Sequence, residues 1–168
     1  IQTHCSMKVK VNTLDQYQTV RELFDGKIIT ENKILYNQIN DDDKVLYLNP
    51  RIEVSKPIDG GTQNYNLVGK NCLFIGNYFN VYNSYTVEFY HRLGIKEVGL
   101  SVELSSNEMK DLINEYHKRN GYYPNVFMMA YGRYELMLMK HCLINKHLKL
   151  ENMGCNKCLE KQYFLEDR

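Results

Sequence analysis

Two rhythms of apolar residues alternate along this chain: short runs with a period near two, then stretches with a spacing of three and four. The first rhythm suits strands and the second suits amphipathic helices. Residues 8–11 alternate charge and apolar side chains as a short strand does, and Asn12-Thr13 offers an N-cap before Leu14, Tyr17, Val20, Leu23 and Phe24 at helical spacing. Gly26 ends that helix. A strand over 27–30 follows, then a brief helix opened by Thr30 or Glu31 that carries Ile34, Leu35 and Ile39. Asp41-Asp42-Asp43 reads as a solvated turn, because it lacks the alternating ligand spacing of a calcium loop.

The strand over 44–51 ends at Pro50, which cannot continue a ladder. Residues 52–70 show no period and read mainly as loop, before a strand over 71–76. Asn83 or Ser84 then caps a helix whose core face is Val87, Phe89 or Tyr90, and Leu93. After a strand and its rim over 95–104, Ser105 to Glu108 resembles a capping box that leads Met109, Leu112, Ile113 and Tyr116 to a stop at Asn120-Gly121. Residues 126–131 form the last strand before a segment rich in functional residue types.

Strands separated by helices imply parallel pairing, since a parallel neighbour needs a crossover. The pattern supplies about six strands, whereas a closed (β/α)8 barrel has eight and about 250 residues, so the expected fold is α/β, with parallel βα repeats in an incomplete TIM-like barrel. Such a sheet has exposed edges, and a homo- or hetero-dimer through them is expected. Chemistry in parallel folds sits beyond the carboxyl ends of the strands. Here those ends are residues 49–51, 80 with 83, 101–103 and 131–133.

Composition narrows the class. With 168 residues, 43% apolar and 24% charged, the chain has the make-up of one soluble globular domain, which excludes disordered and fibrous classes. A net charge of +1 gives no overall basic field. Lys140, Lys146, Lys149, Lys157 and Lys161 gather around the cysteines as a solvated face, with phosphate contact as the alternative. No apolar run reaches the roughly 20 residues that span a bilayer, and the first residues carry no signal pattern, so no membrane association and a cytoplasmic location are expected. Five cysteines, an odd number, argue for thiols and metal ligands rather than a disulfide framework.

Cys142, Cys155 and Cys158 form a C-x12-C-x2-C pattern with Gly154 just before the tight pair. A two-residue spacer lets one turn of backbone aim two thiolates at one metal, so this is a metal knuckle one ligand short. Soft thiolates suit an iron-sulfur cluster; a Cys3His zinc site using His141 or His147 is the second option, and free surface thiols without metal the third. Arg133, at a strand end, offers a fork of donors for a phosphate or carboxylate, or a partner for an acid such as Glu103. Glu103 suits a general base or an anchor for a substrate hydroxyl, or else a cap for the next helix. Asn80 and Asn83 are rim hydrogen-bonding groups for substrate, Asn83 doubling as a helix cap. Met128, Met129, Met137 and Met139 read as core packing, as does Cys72. No Ser-His-Asp or Cys-His arrangement and no H-E-x-x-H stands out.

Phe79-Asn80-Val81-Tyr82-Asn83-Ser84 before a helix, the S-x-E-L ending of residues 98–104, Tyr131-Gly132-Arg133 with Leu136-Met137, Cys142, Gly154-Cys155-x-x-Cys158 and Leu165-x-Asp167-Arg168 together resemble the peptidase U32 family, the collagenase-like peptidases. The resemblance covers about residues 68–168, and the first 60 residues match only as shortened βα units. It implies a TIM-like barrel. It also implies four cysteines holding an oxygen-sensitive 4Fe-4S cluster that supports hydroxylation of RNA bases or a quinone precursor; other members are described as peptidases. The family's first three cluster cysteines map onto Cys142, Cys155 and Cys158. The fourth follows the Asp-Arg pair, so the resemblance implies a truncated catalytic domain, or else Cys5 or Cys72 as last ligand. The expected protein is thus a single U32-like domain that supports hydroxylation of RNA or a small aromatic substrate. In it, Glu103 and Arg133 are catalytic, while Asn80, Asn83 and Arg133 bind substrate. A collagenase-like peptidase and a non-catalytic binding module are the alternatives.

Overall fold

The structure, a computed structural model, describes residues 6–52, 56–69, 72–135 and 142–147. The chain divides into two compact units, Ile1–Ala130 and Tyr131–Arg168. In the first, the order is β1 (Lys8–Lys10), α1 (Leu14–Leu23), β2 (Lys27–Thr30), α2 (Lys33–Ile39), β3 (Val45–Asn49), β4 (Gly60–Thr62), β5 (Cys72–Ile75), α3 (Ser84–Arg92), β6 (Glu97–Gly99), α4 (Ser106–Asn120) and β7 (Val126–Phe127). All seven strands are parallel, and their order across the sheet is their order in the sequence. The sheet is curled, so the fold is an incomplete α/β barrel of the TIM-like kind.

Register explains how the faces divide. Val9, Ile28 and Val45 are partners in adjacent strands, as are Ile75, Val98 and Val126, and this face packs under the helices in two apolar clusters. The opposite, concave face carries Ile29, Leu48 and Phe74, with Leu46 and Phe127 against them. Side chains also reach across that concavity. Lys8, opening β1, pairs with Glu97, opening β6, and Lys27 of β2 lies 3.4 Å from the same carboxylate. The Lys8 ammonium sits 4.5 Å from the Phe127 ring centroid and 5.1 Å from that of Phe74. All three charged residues stand at the amino ends of their strands, the end of a parallel barrel that serves stability rather than chemistry.

Helix starts follow the expected cap chemistry. Thr13 accepts from the Gln16 N–H, Asn83 from that of Thr86, and Ser105 with Glu108 forms a complete capping box. The second helix is capped by Asn32 rather than Thr30 or Glu31. Asp42 does not stay in solvent as a bare turn residue: it accepts from the Tyr17 hydroxyl at 3.0 Å and meets Arg21 at 2.5 Å, tying α1 to the turn before β3.

Four readings are corrected by packing. There are seven strands, because Gly60–Thr62, inside the stretch read as loop, pairs with both β3 and β5. Gly60 has φ near +150°, a conformation side-chain-bearing residues avoid, and the strand carries no branched or aromatic run to announce it. On α3 the core takes Tyr90 of the two adjacent aromatic residues, and Leu93, expected on the core face, is exposed where the helix ends; on α1 no residue is fully buried. Met128 is exposed rather than core, since the last strand ends at Phe127. Among the described residues, no helix is long and apolar enough to cross a membrane.

Close backbone approach makes Gly99 a sensitive position. A Cβ there would lie 2.7 Å from the Gly76 carbonyl carbon, 2.8 Å from the Asn77 nitrogen and 2.9 Å from the Ile75 oxygen, all main-chain atoms that cannot rotate aside. Gly99→Ala is expected to cost roughly 1–3 kcal/mol, as overpacking does, and to lower the urea midpoint. A midpoint equal to that of the parent chain would show that β5 and β6 are less tightly apposed.

Candidate functional site

At the carboxyl ends of the strands, the loop after β5 is the most sharply shaped. A single 3-10 turn, Asn77–Phe79, ends at Asn80, which adopts the left-handed conformation at φ 49° and ψ 53°, the one positive-φ non-glycine among the described residues. Such a backbone is sparsely populated outside glycine and asparagine, and it often marks a functional loop. Val81 then bridges to Leu100 beyond β6, which brings this loop beside the next strand's end.

That bridge sets up the contact between Tyr82 and Glu103. The Tyr82 hydroxyl donates to Glu103 Oε2 at 2.5 Å, and the Glu103 N–H donates to the buried Ser101 Oγ at 3.3 Å. Glu103 is thus an exposed carboxylate held at both backbone and side chain. A group so placed accepts a proton or anchors a hydroxyl without first having to be ordered. It does not cap the next helix; Ser105 does. Asn83 caps α3, its Oδ1 accepting from the Thr86 N–H at 2.9 Å and from the Thr86 hydroxyl at 3.1 Å.

Two further rim residues are set by packing between strands: Asn49, within the strand end at 49–51, and Gln63, which no motif includes. Asn49 is buried and structural: its amide donates to the Ile58 and Gly61 carbonyls at 2.7 and 2.9 Å, and its Oδ1 accepts from the Ile58 N–H at 3.1 Å. Gln63, directly after β4, is also buried, with its amide laid against Gly76 at the end of β5. Its Oε1 has no hydrogen-bond partner among the described residues. A buried acceptor of this kind is costly unless water or another donor reaches it. No local pattern singles out Gln63, because its setting depends on a glycine in the neighbouring strand.

The second unit, described by itself, contains Arg133 and Cys142. Arg133 is exposed and follows Gly132, whose φ is +136°. Cys142 is an exposed free thiol whose Sγ accepts from the Asn145 N–H at 3.4 Å, just before α5 (Leu143–His147). His147, at the end of α5, is exposed. Cys155 and Cys158 lie outside the described residues, as do Cys5, His141, Met137 and Met139. Among the described residues no group of three metal-ligating side chains comes together. Cys72 is half-buried, donates to the Phe74 carbonyl at 3.2 Å, and has its pKa pushed up to about 11 by burial. It therefore keeps its proton at neutral pH, as a packing residue does.

Compared with known proteins, the chain matches no family model, no curated protein and no solved structure.

Proposed function

We propose that this chain is a U32-like iron-sulfur protein of the cytoplasm that supports hydroxylation of RNA or of a small aromatic substrate. The observation that carries this reading is the anchored Glu103 carboxylate beside Tyr82, at the carboxyl ends of parallel strands. The resemblance of residues 68–168 to the peptidase U32 family supplies the chemistry. Three thiolates are a soft donor set, and in this reading Cys142, Cys155 and Cys158 would hold the cluster. When bound, the cluster would supply the redox capacity that protein side chains lack. Glu103 would take the proton of a substrate hydroxyl or hold that hydroxyl in place, with Tyr82 fixing the carboxylate. Asn80 and Asn83 would position the substrate, and Arg133 would bind an anionic group such as a phosphate or carboxylate.

Anaerobic purification followed by iron, sulfide and zinc analysis and a visible spectrum tests this reading. About four iron and four sulfide per chain, lost in Cys155→Ser, is the expected result. Glu103→Gln should retain the metal and lose turnover of a bound substrate. Zinc in place of iron, or no metal in the parent chain, overturns the iron-sulfur assignment.

A further inference from the structure

We propose that Arg51, resting against the Tyr78 ring, is the oxyanion-holding residue of the candidate site, and that the substrate of that site carries a phosphate or carboxylate group. The inference rests on the carboxyl rim being where substrate binds, and it names a chemical group the substrate must have. Arg133, the cation expected from the sequence, belongs to the second unit, whereas Arg51 is in the same unit as Glu103 and Tyr82.

Local structure sets where Arg51 stands. Asn49 closes β3, and its buried carboxamide is tied to Ile58 and Gly61, so the chain leaves the sheet from a fixed point. Pro50, with its restricted φ, carries the chain to Arg51, which is exposed at the rim. The guanidinium lies 5.4 Å from the centre of the Tyr78 ring, within cation–π range. Tyr78 is part of the Asn77–Phe79 turn that leads into the left-handed Asn80, and its carbonyl accepts from the Tyr65 hydroxyl at 3.3 Å. Tyr65 in turn rests on the buried Phe79 ring, with centroids 4.4 Å apart. The ring beside Arg51 is therefore held by the same turn that shapes the candidate site.

Pairing singles this arginine out. The first unit has four arginines. Arg21 is paired with Asp42, and Arg92 and Arg119 with Glu88; among the described residues Arg51 has no carboxylate partner. A guanidinium that rests on an aromatic ring keeps the N–H fork at its edge, and that fork matches two oxygens of a carboxylate or a phosphate. The contact with Tyr78 also restrains a long side chain in advance, which lowers the ordering cost of binding. Arg51 follows β3 and Glu103 follows β6, three strand positions along the sheet, on the order of 14 Å. One small molecule with its anionic group at Arg51 and its hydroxyl at Glu103 fits that span.

The test measures binding of phenyl phosphate, benzoate and phenol to the whole chain by calorimetry at low ionic strength. It needs neither bound metal nor turnover, so failure of the iron-sulfur reading leaves it intact. At least one of the two anions should bind at least about tenfold more tightly than phenol, and the tighter of them tells phosphate from carboxylate. Arg51→Gln should weaken that anion at least about tenfold, and Arg51→Lys should recover only part, since an ammonium has no planar fork. Arg51 is exposed, so the urea midpoint of both variants should match the parent. Lys56→Gln, which removes another exposed charge from the segment between β3 and β4, should bind as the parent does. In the parent chain the tighter anion should also slow modification of Arg51 by phenylglyoxal, followed by peptide mass. No anion binding up to about 10 mM, phenol binding equal to that of both anions, a loss in Lys56→Gln equal to that in Arg51→Gln, or an unchanged rate of Arg51 modification would each overturn the proposal.

Discussion

Glu97→Leu is expected to destabilise the chain by about 3 kcal/mol or more, the scale seen when one member of a largely buried ion pair is removed. The Glu97 carboxylate, opening β6, serves two cations, Lys8 and Lys27, which open the adjacent strands β1 and β2 across the curl. Leucine would fill similar space but leave the Lys8 ammonium against the apolar wall of Phe74 and Phe127 without its carboxylate, and Lys27 without its partner. The strain is already present in the parent chain: burial first, and then the Lys27 charge, bring the Lys8 pKa from 10.5 down to about 8. A lowered basic group binds fewer protons folded than unfolded between those two values, so its contribution to stability rises as pH climbs from about 8 to 10.5. The deficit of Glu97→Leu should therefore be larger at pH 7 than above pH 9. Urea unfolding at both values measures it, and an equal midpoint for variant and parent at pH 7 would remove Glu97 from the interior.

Phe74→Ala carries the other large effect, a loss of roughly 3–5 kcal/mol, as expected for truncating a buried aromatic residue. The ring is 2% exposed and lies opposite Gly61 in the paired strand, where the missing side chain leaves it a seat. It meets Phe127 edge-on at 6.1 Å and stands 5.1 Å from the Lys8 ammonium. Alanine would open a cavity and at the same time strip one aromatic wall from a lysine that has little water to replace it. Phe74→Leu should recover at least half of the lost stability, because most of the volume returns without the ring. If leucine and alanine were equally damaging, the ring's electrostatic contact with Lys8 would matter more than its bulk.

Much of the architecture was legible because it is written locally. The cap at Asn83 and the capping box from Ser105 to Glu108 are read from residues three apart, and the buried face of α4 follows from helical spacing. β4 was not legible: a Gly-Gly-Thr strand has no side-chain rhythm, and only its neighbours, Tyr47–Asn49 and Cys72–Ile75, define it. Phe89 and Tyr90 are adjacent residues of similar kind, and the choice between them depends on where the sheet lies. At the rim, Glu103 was visible as a strand-end acid, but the hydroxyl that holds it comes from Tyr82, 21 residues earlier. Gln63 was invisible for the same reason. The pairing of Lys27 with Glu97 spans 70 residues, beyond any periodicity.

That separation bears on how the protein is made. Every strand adds beside the one just synthesised, so a growing chain can extend the sheet in the order it leaves the ribosome. The two lysines cannot be neutralised in that order. At about 5–20 residues per second, Lys27 waits roughly 4–14 s for Glu97 to emerge, and until then the first two strands carry a pair of adjacent, unmatched positive charges at their amino ends. The nascent sheet should therefore stay open and solvated through its early strands and draw into its curl only when the sixth arrives.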